Sequence, residues 1–201
     1  MTPNTHLAHT RENPRGLFID RWGTLLALPR GGYAKRPSEL EFLPGALEAL
    51  FHAGRLGWKI YLIGNEDAVA EGKQTRAAWE KIEARIAHQL GEFGVPLTRS
   101  YACLENGQGQ GPRAQSSVFR LPETGVFYHA EHNDGLDLSK SWVIGDSTLE
   151  LAAGWRADLH TMGVRTGHGL SDGQLHVEPA IIVADLPEAI ACLRRAGAEA
   201  A

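Results

Sequence analysis

At 201 residues, with 43% apolar residues and a formal net charge of −4, the chain has the length and the apolar content for one compact α/β domain with a full core. The acidic balance offers no basic field for a nucleic acid backbone, and no uninterrupted apolar run approaches a bilayer span, so nucleic acid and membrane partners are not expected. Cys103 and Cys192 stand far apart, support neither a disulfide framework nor a cysteine-rich metal site, and read as ordinary buried thiols. Met1 to Arg15 is polar, contains Pro3 and Pro14, and lacks the apolar core of a signal peptide. Residues 1–15 therefore read as a flexible arm, residues 16–201 as a single domain, and a cytoplasmic address is expected.

The first element is an apolar run, Leu17 to Ile19, that ends on Asp20, with Gly23 set for a sharp turn before Leu25 and Leu26. In open α/β sheets ligands bind beyond the carboxyl ends of the strands, so an Asp there suits chemistry, although a turn residue reads equally well. Ala27 to Glu41, with Pro29, Gly31, Gly32 and Pro37 among basic residues, reads as a flap over that strand end. Pro44 opens a helix carrying Leu47, Leu50 and Phe51, which Gly54 and Gly57 stop. Trp58 to Ile63 is a second strand delivering Gly64 and Asn65 to the same edge. Trp79, Ile82, Ile86 and Leu90 mark a long amphipathic helix over Arg76 to Leu90.

A third short strand is expected over Ser100 to Leu104, followed by a Gly-, Gln- and Ser-rich loop, Glu105 to Ser117. Val126 to Tyr128 opens either a helix or a strand. Ser141 to Ile144 is a buried strand that also ends on an acid, in Gly145-Asp146-Ser147, and Ser147 with Glu150 has capping-box spacing for the helix through Leu151 and Trp155. Thr161 to Val164 and Ala180 to Val183 read as the last strands, and Asp185 with Glu188 repeats the capping-box spacing before a helix over Pro187 to Ala196. Strands alternating with helices imply a parallel, doubly wound α/β sheet.

In such a sheet the strands ending at Asp20 and Asp146 can lie side by side at the switch point. Two carboxylates there can hold a hard divalent ion such as magnesium, and one beside the ion can attack phosphorus and form an aspartyl phosphate. Gly64 and Asn65 are candidate donors to the phosphate oxygens, with a turn as the simpler reading of Asn65. His129, His132, His160, His168 and His176 read as solvated loop histidines, and Trp58, Trp79, Trp142 and Trp155 as core anchors.

Leu17 to Leu26, Phe42 to Leu50, Ile60 to Gly72, Arg120 to Pro122, Val143 to Asp146 and Val164 to Gly167 together resemble the haloacid dehalogenase (HAD) superfamily, and within it the heptose bisphosphate and histidinol phosphate phosphatases. The resemblance spans Gly16 to Leu170 and implies a Rossmann-like fold without a large cap domain. It implies that Asp20 is the nucleophile, that Asp20, Asp146 and the Trp22 main-chain carbonyl hold magnesium, and that Gly64, Asn65 and Arg120 lie at the phosphate or substrate.

Four positions depart from the family pattern. Trp22 stands where the family has a second Asp, the general acid and base, a group that typically contributes ~10² to 10⁴ in rate. Gly64 replaces a Thr or Ser hydroxyl, Leu121 replaces a Lys that pairs with nucleophile and phosphate, and Glu150 stands where the family has a shorter acid, its capping role with Ser147 being a sufficient reason for it. The zinc loop of the branch is reduced to Cys103, so no zinc is expected. These departures imply a degenerate phosphatase, impaired or inactive as an enzyme, that is kept to bind a phosphorylated metabolite or a protein partner through the flap and the loop at 105–117.

Three alternatives remain. The first is an active magnesium-dependent sugar phosphate phosphatase with acid and base work moved to His168, Glu66 or Asp67, His168 being first choice. The second is a dehalogenase-like hydrolase, since dehalogenases carry an aromatic residue at the Trp22 position. The third is a non-catalytic partner-binding protein.

Overall fold

The computed structural model describes residues 13–105 and 117–199. Most of the arm expected at 1–15 and of the loop expected at 105–117 lies outside these residues. The last two arm residues are held, since Pro14 O accepts from Asp137 N–H, Arg15 O accepts from Lys59 N–H, and the Arg15 guanidinium lies 4.0 Å from the centre of the Trp58 ring.

Six parallel strands form one sheet: β1 (Gly16–Asp20), β2 (Lys59–Ile63), β3 (Leu97–Ser100), β4 (Trp142–Gly145), β5 (His160–Val164) and β6 (Ile181–Val183). Their order is β3-β2-β1-β4-β5-β6. The order reverses between β1 and β4, which places the switch point between the ends of those two strands. The helices are α1 (Ala46–Arg55), α2 (Asp67–Ala70), α3 (Arg76–Glu92), α4 (Gly125–Asp134), α5 (Thr148–Arg156) and α6 (Leu186–Glu199).

Strand alternation sends Leu17 and Ile19 into one apolar cluster with α1, α3 and α6, and Phe18 into a second with α4 and α5. The two clusters are the two faces of a doubly wound α/β sheet, and among the described residues no large cap is built on it. Between β1 and α1 the flap is tied at its base, where Ala27 N–H donates to Glu41 O at 2.8 Å and Leu26 bridges Phe42.

Several boundaries differ from the sequence reading. Gly45, left-handed at φ 72°, moves the start of α1 past Pro44 to Ala46. The third strand forms at Leu97–Ser100, its ladder with β2 shifting register between Ile60 and Tyr61 and ending at Ser100, the first residue of the expected stretch, which leaves Cys103 in an isolated bridge to Asn65. Val126 to Tyr128 belongs to helix α4, and His129 and His132 are therefore exposed helical residues instead of loop ones.

Trp155 is 70% exposed and is no core anchor. The helix meets β4 through Gly154, where a Cβ would fall 2.2 Å from a Val143 methyl, and this close approach turns the next residue outward. Cys192 is only partly buried and accepts from Arg195 Nη2. At the start of α6 Asp185 accepts the Glu188 N–H, but the Glu188 carboxylate reaches Ala184 N–H, one residue earlier than a capping box would have it.

Candidate functional site

β1 and β4 run side by side, Ile19 opposite Ile144, and deliver Asp20 and Asp146 to the same edge. Two glycines permit the closure around them. A Cβ on Gly23, at φ 89°, would lie 2.1 Å from Asp146 Oδ2, and one on Gly167, at φ 59°, would lie 2.0 Å from the same oxygen. Any side chain at either position would displace the acid.

Asp20, Asp146 and Glu150 are all buried and each offers an oxygen within 4.8 Å of the others. Asp146 Oδ2 accepts the His168 N–H at 2.6 Å and lies 3.0 Å from His168 Nδ1. Glu150 accepts from the Ser147 N–H and hydroxyl, each at 2.6 Å, so the expected capping box forms and also carries the carboxylate into the cluster. Asp20 Oδ2 is buried with no hydrogen-bond partner.

Burial raises the Asp20 carboxyl well above the usual range, and the charges of Glu150 and Asp146 raise it further. Burial likewise raises Asp146 and pushes Glu150 up to about 7. A buried oxygen without a donor, facing two further carboxylates, is a hard-oxygen set of the kind magnesium takes. The residues fit that ion.

The acids sit in a cavity of about 240 Å³. Six carboxylates line it, from Asp20, Glu66, Asp67, Asp146, Glu150 and Asp172, and among the described residues no Lys or Arg does. The same cavity is also lined by Trp22, Leu28, Tyr33, Leu121 and Leu149.

The structure brings most of the expected site residues together, and two of them, Asn65 and Arg120, are bonded to other protein groups. Asn65 lines the cavity, but its amide is spent: Nδ2 donates to Leu121 O and Oδ1 accepts the Leu121 N–H, both at 2.9 Å. Its side chain pins the Leu121 segment in place of offering a donor to a ligand. Arg120 is not among the lining residues; it holds Asp67 at 2.7 Å and the Glu105 carbonyl at 3.2 Å. Gly64 lies beside the site, the place of its absent Cβ being 3.5 Å from Asp20 Oδ1 and 3.0 Å from Arg21 Nη1. Leu121, Glu66, Asp67 and His168 line the cavity, and the His168 side chain is 51% exposed.

Sequence reasoning passed over Arg21. Its side chain is wholly buried: Nη1 donates to Glu66 Oε1 and Nη2 to Ser100 Oγ, each at 2.8 Å, and the guanidinium lies 5.1 Å from the centre of the Trp79 ring. A signal existed, because period-two alternation places Arg21 on the face of Leu17 and Ile19, which points into the core. Glu66 in turn accepts from Trp22 Nε1 at 3.2 Å, and burial pushes its carboxyl up to about 7 despite the guanidinium.

Comparison with known proteins agrees with this geometry. Residues 118–189 match the HAD-hydrolase-like family profile. The D-glycero-beta-D-manno-heptose-1,7-bisphosphate 7-phosphatase of Mesorhizobium japonicum is 30% identical over 171 residues, covering 85% of this chain and 75% of the relative. The enzyme of the same name from Pasteurella multocida is 27% identical over 183 residues, covering 90% of this chain and 98% of its own. The crystal structure of the D,D-heptose 1,7-bisphosphate phosphatase from B. bronchiseptica, complexed with magnesium and phosphate, superposes with a TM-score of 0.78 at 24% identity, over 90% of this chain and 99% of that one, a likeness of fold. With the two strand-end acids, the doubly wound sheet and a relative at this identity and coverage, the chain belongs to the haloacid dehalogenase superfamily, in the branch of the heptose bisphosphate phosphatases.

Proposed function

We propose that the chain is a sugar phosphate phosphatase-type protein that binds a phosphorylated sugar through a divalent cation and hydrolyses it weakly or not at all. The observation that carries this reading is a contrast within one cavity: three buried carboxylates, one with an unpartnered oxygen, and no Lys or Arg among the described lining residues. Asp20, Asp146, Glu150 and the Trp22 main-chain carbonyl are the groups assigned to the ion. When bound, magnesium offsets the charge of a phosphate. Leu121, Gly64 and a committed Asn65 offer a phosphate no side-chain donor in place of that cation.

Weak turnover follows from the acid and base side. Asp20 keeps the position of a nucleophile, but the indole at Trp22 has no proton to give a leaving alkoxide, and its N–H is already donated to Glu66. Loss of a general acid lowers rate by ~10² to 10⁴.

A second reading keeps turnover and gives the proton to His168. It is favoured by one contact, Nδ1 at 3.0 Å from Asp146 Oδ2, which leaves Nε2 for the half-exposed side of the ring. A dehalogenase-like reaction finds no support, because it depends on the cation that Leu121 lacks.

The test is calorimetry of magnesium binding to the protein and to Asp146→Ala, followed by a phosphatase screen over sugar phosphates in the same buffer. Binding lost in the variant with at most trace turnover is expected. Robust turnover abolished by His168→Gln would replace the first reading by the second, and no magnesium binding would sink both.

A further inference from the structure

The turn after β1 holds Trp22 from two sides. Its backbone is fixed where Leu26 N–H donates to Arg21 O at 2.9 Å and Trp22 bridges Leu26. Its indole is fixed by the 3.2 Å bond from Nε1 to Glu66 Oε2. Glu66 is itself immobilised: its other oxygen takes the Arg21 guanidinium at 2.8 Å, and its N–H donates to the Cys103 carbonyl at 2.9 Å. Arg21 is in turn bonded to Ser100 and packed on Trp79. A hydrogen-bonded chain thus runs from the core to Trp22, which lines the cavity along with Leu28, Tyr33, Leu121 and Leu149.

From this geometry we infer that Trp22 is the platform for the carbon skeleton of the ligand, and that Glu66, backed by Arg21, is the residue that positions it. The inference rests on the phosphorylated-sugar reading above and says what selects the sugar. The phosphate end of the cavity has lost its discriminating side chains. Gly64 offers no hydroxyl, Leu121 no charge and Asn65 no free amide, so these three positions do not tell a sugar phosphate from a bare phosphate. Selectivity then has to come from the apolar and aromatic lining. A pyranose presents a face of C–H groups, and an indole fixed by a hydrogen bond covers such a face with less entropy cost than a loose side chain. The replacement that removes the catalytic proton thereby supplies a surface for binding, and the ligand class is a phosphorylated sugar in ring form.

The experiment is calorimetry in magnesium with two probes, mannose 6-phosphate and inorganic phosphate, the readout being the ratio of their affinities. In the unaltered protein the sugar phosphate should bind about tenfold or more tighter. Trp22→Ala should bring the ratio close to one. Glu66→Gln keeps the volume of Glu66 but has a single acceptor oxygen, which the Arg21 guanidinium takes; the indole is released, and the ratio should fall severalfold. In a Trp22→Phe background, which has no ring N–H, Glu66→Gln should change the ratio no further.

A ratio that survives Trp22→Ala would overturn the platform. An effect of Glu66→Gln that is equally large in the Trp22→Phe background, or that lowers both affinities in step, would make Glu66 merely structural. Binding of both probes by the unaltered protein with no preference sinks this inference alone, whereas binding of neither alongside magnesium sinks the phosphorylated-sugar reading beneath it.

Discussion

Asp134, at the end of α4, and Asp20, at the end of β1, are treated in opposite ways. Asp134 accepts from Arg99 Nε at 2.9 Å, from Arg99 Nη2 at 3.0 Å and from Tyr61 Oη at 3.1 Å, and the Arg99 hydrogen bonds hold its carboxyl below the usual carboxylate range. Asp20 has an oxygen with no partner and two carboxylates for neighbours, and burial together with those charges drives its carboxyl up. A cation was within reach, because Arg21 is the next residue, yet its guanidinium is aimed at Glu66. Where a carboxylate serves the fold, this chain supplies the positive partner. At Asp20 no side-chain cation among the described residues is bonded to the carboxylate, and gathering three buried carboxyls, each with its ionisation opposed by burial, is a standing cost that a bound cation relieves.

That contrast can be broken in graded ways. The largest effect is expected on metal affinity: Asp20→Asn should weaken magnesium binding by at least ~100-fold in calorimetry, whereas Asp134→Asn should leave it unchanged. Next comes Arg21→Ala, which leaves Glu66 buried without its cation; denaturant unfolding should record a loss of about 3–5 kcal/mol. Loss of less than about 1 kcal/mol would mean that Glu66 is not held as an ion by Arg21.

The third effect has the opposite sign. In chelator, Asp20→Asn should raise stability by about 0.5–2 kcal/mol, because it removes a buried carboxyl whose ionisation the site opposes, and magnesium should narrow the gap by stabilising only the unaltered protein. Stabilisation of a protein by removal of its nucleophile candidate is the signature of a site kept at the expense of the fold.

Smaller again is Asp134→Ala, expected to lose about 1 kcal/mol, since Arg99 is exposed enough to regain water. The difference in stability between the protein and Asp134→Asn sharpens this through pH. A carboxyl lowered in the folded state contributes fully above its ordinary value of about 3.9, and that contribution is lost as pH falls through the lowered folded value. The difference should therefore be flat from pH 7 to about pH 4 and shrink below it. A difference that instead grew on acidification would contradict the pairing with Arg99.

Much of this organisation was legible in the chain. Apolar runs ending in Asp20 and Asp146, and a helical period through Trp79, Ile82, Ile86 and Leu90, follow from local periodicity, and the doubly wound order follows from their alternation. The capping box of Ser147 and Glu150 is equally local. The short apolar run at Val126 was ambiguous because three residues fit either period, and helix α4 forms once that face packs on Phe18. Asn65 and Arg120 were assigned to the ligand by position in a motif, and both are committed to other protein groups in the fold.

The sequence by itself determined which residue types stand at the strand ends, and therefore that two acids reach one edge and that an indole stands where a proton donor is expected. Only the tertiary structure decided which of the polar groups are used up on one another. Trp22 and Glu66 are 44 positions apart, Arg21 and Ser100 79, and Asn65 and Leu121 56. No local period links such pairs. A hydrogen bond acts over about 3 Å, so which donors are spent and which oxygen is left bare is settled only when the sheet brings distant loops to one edge.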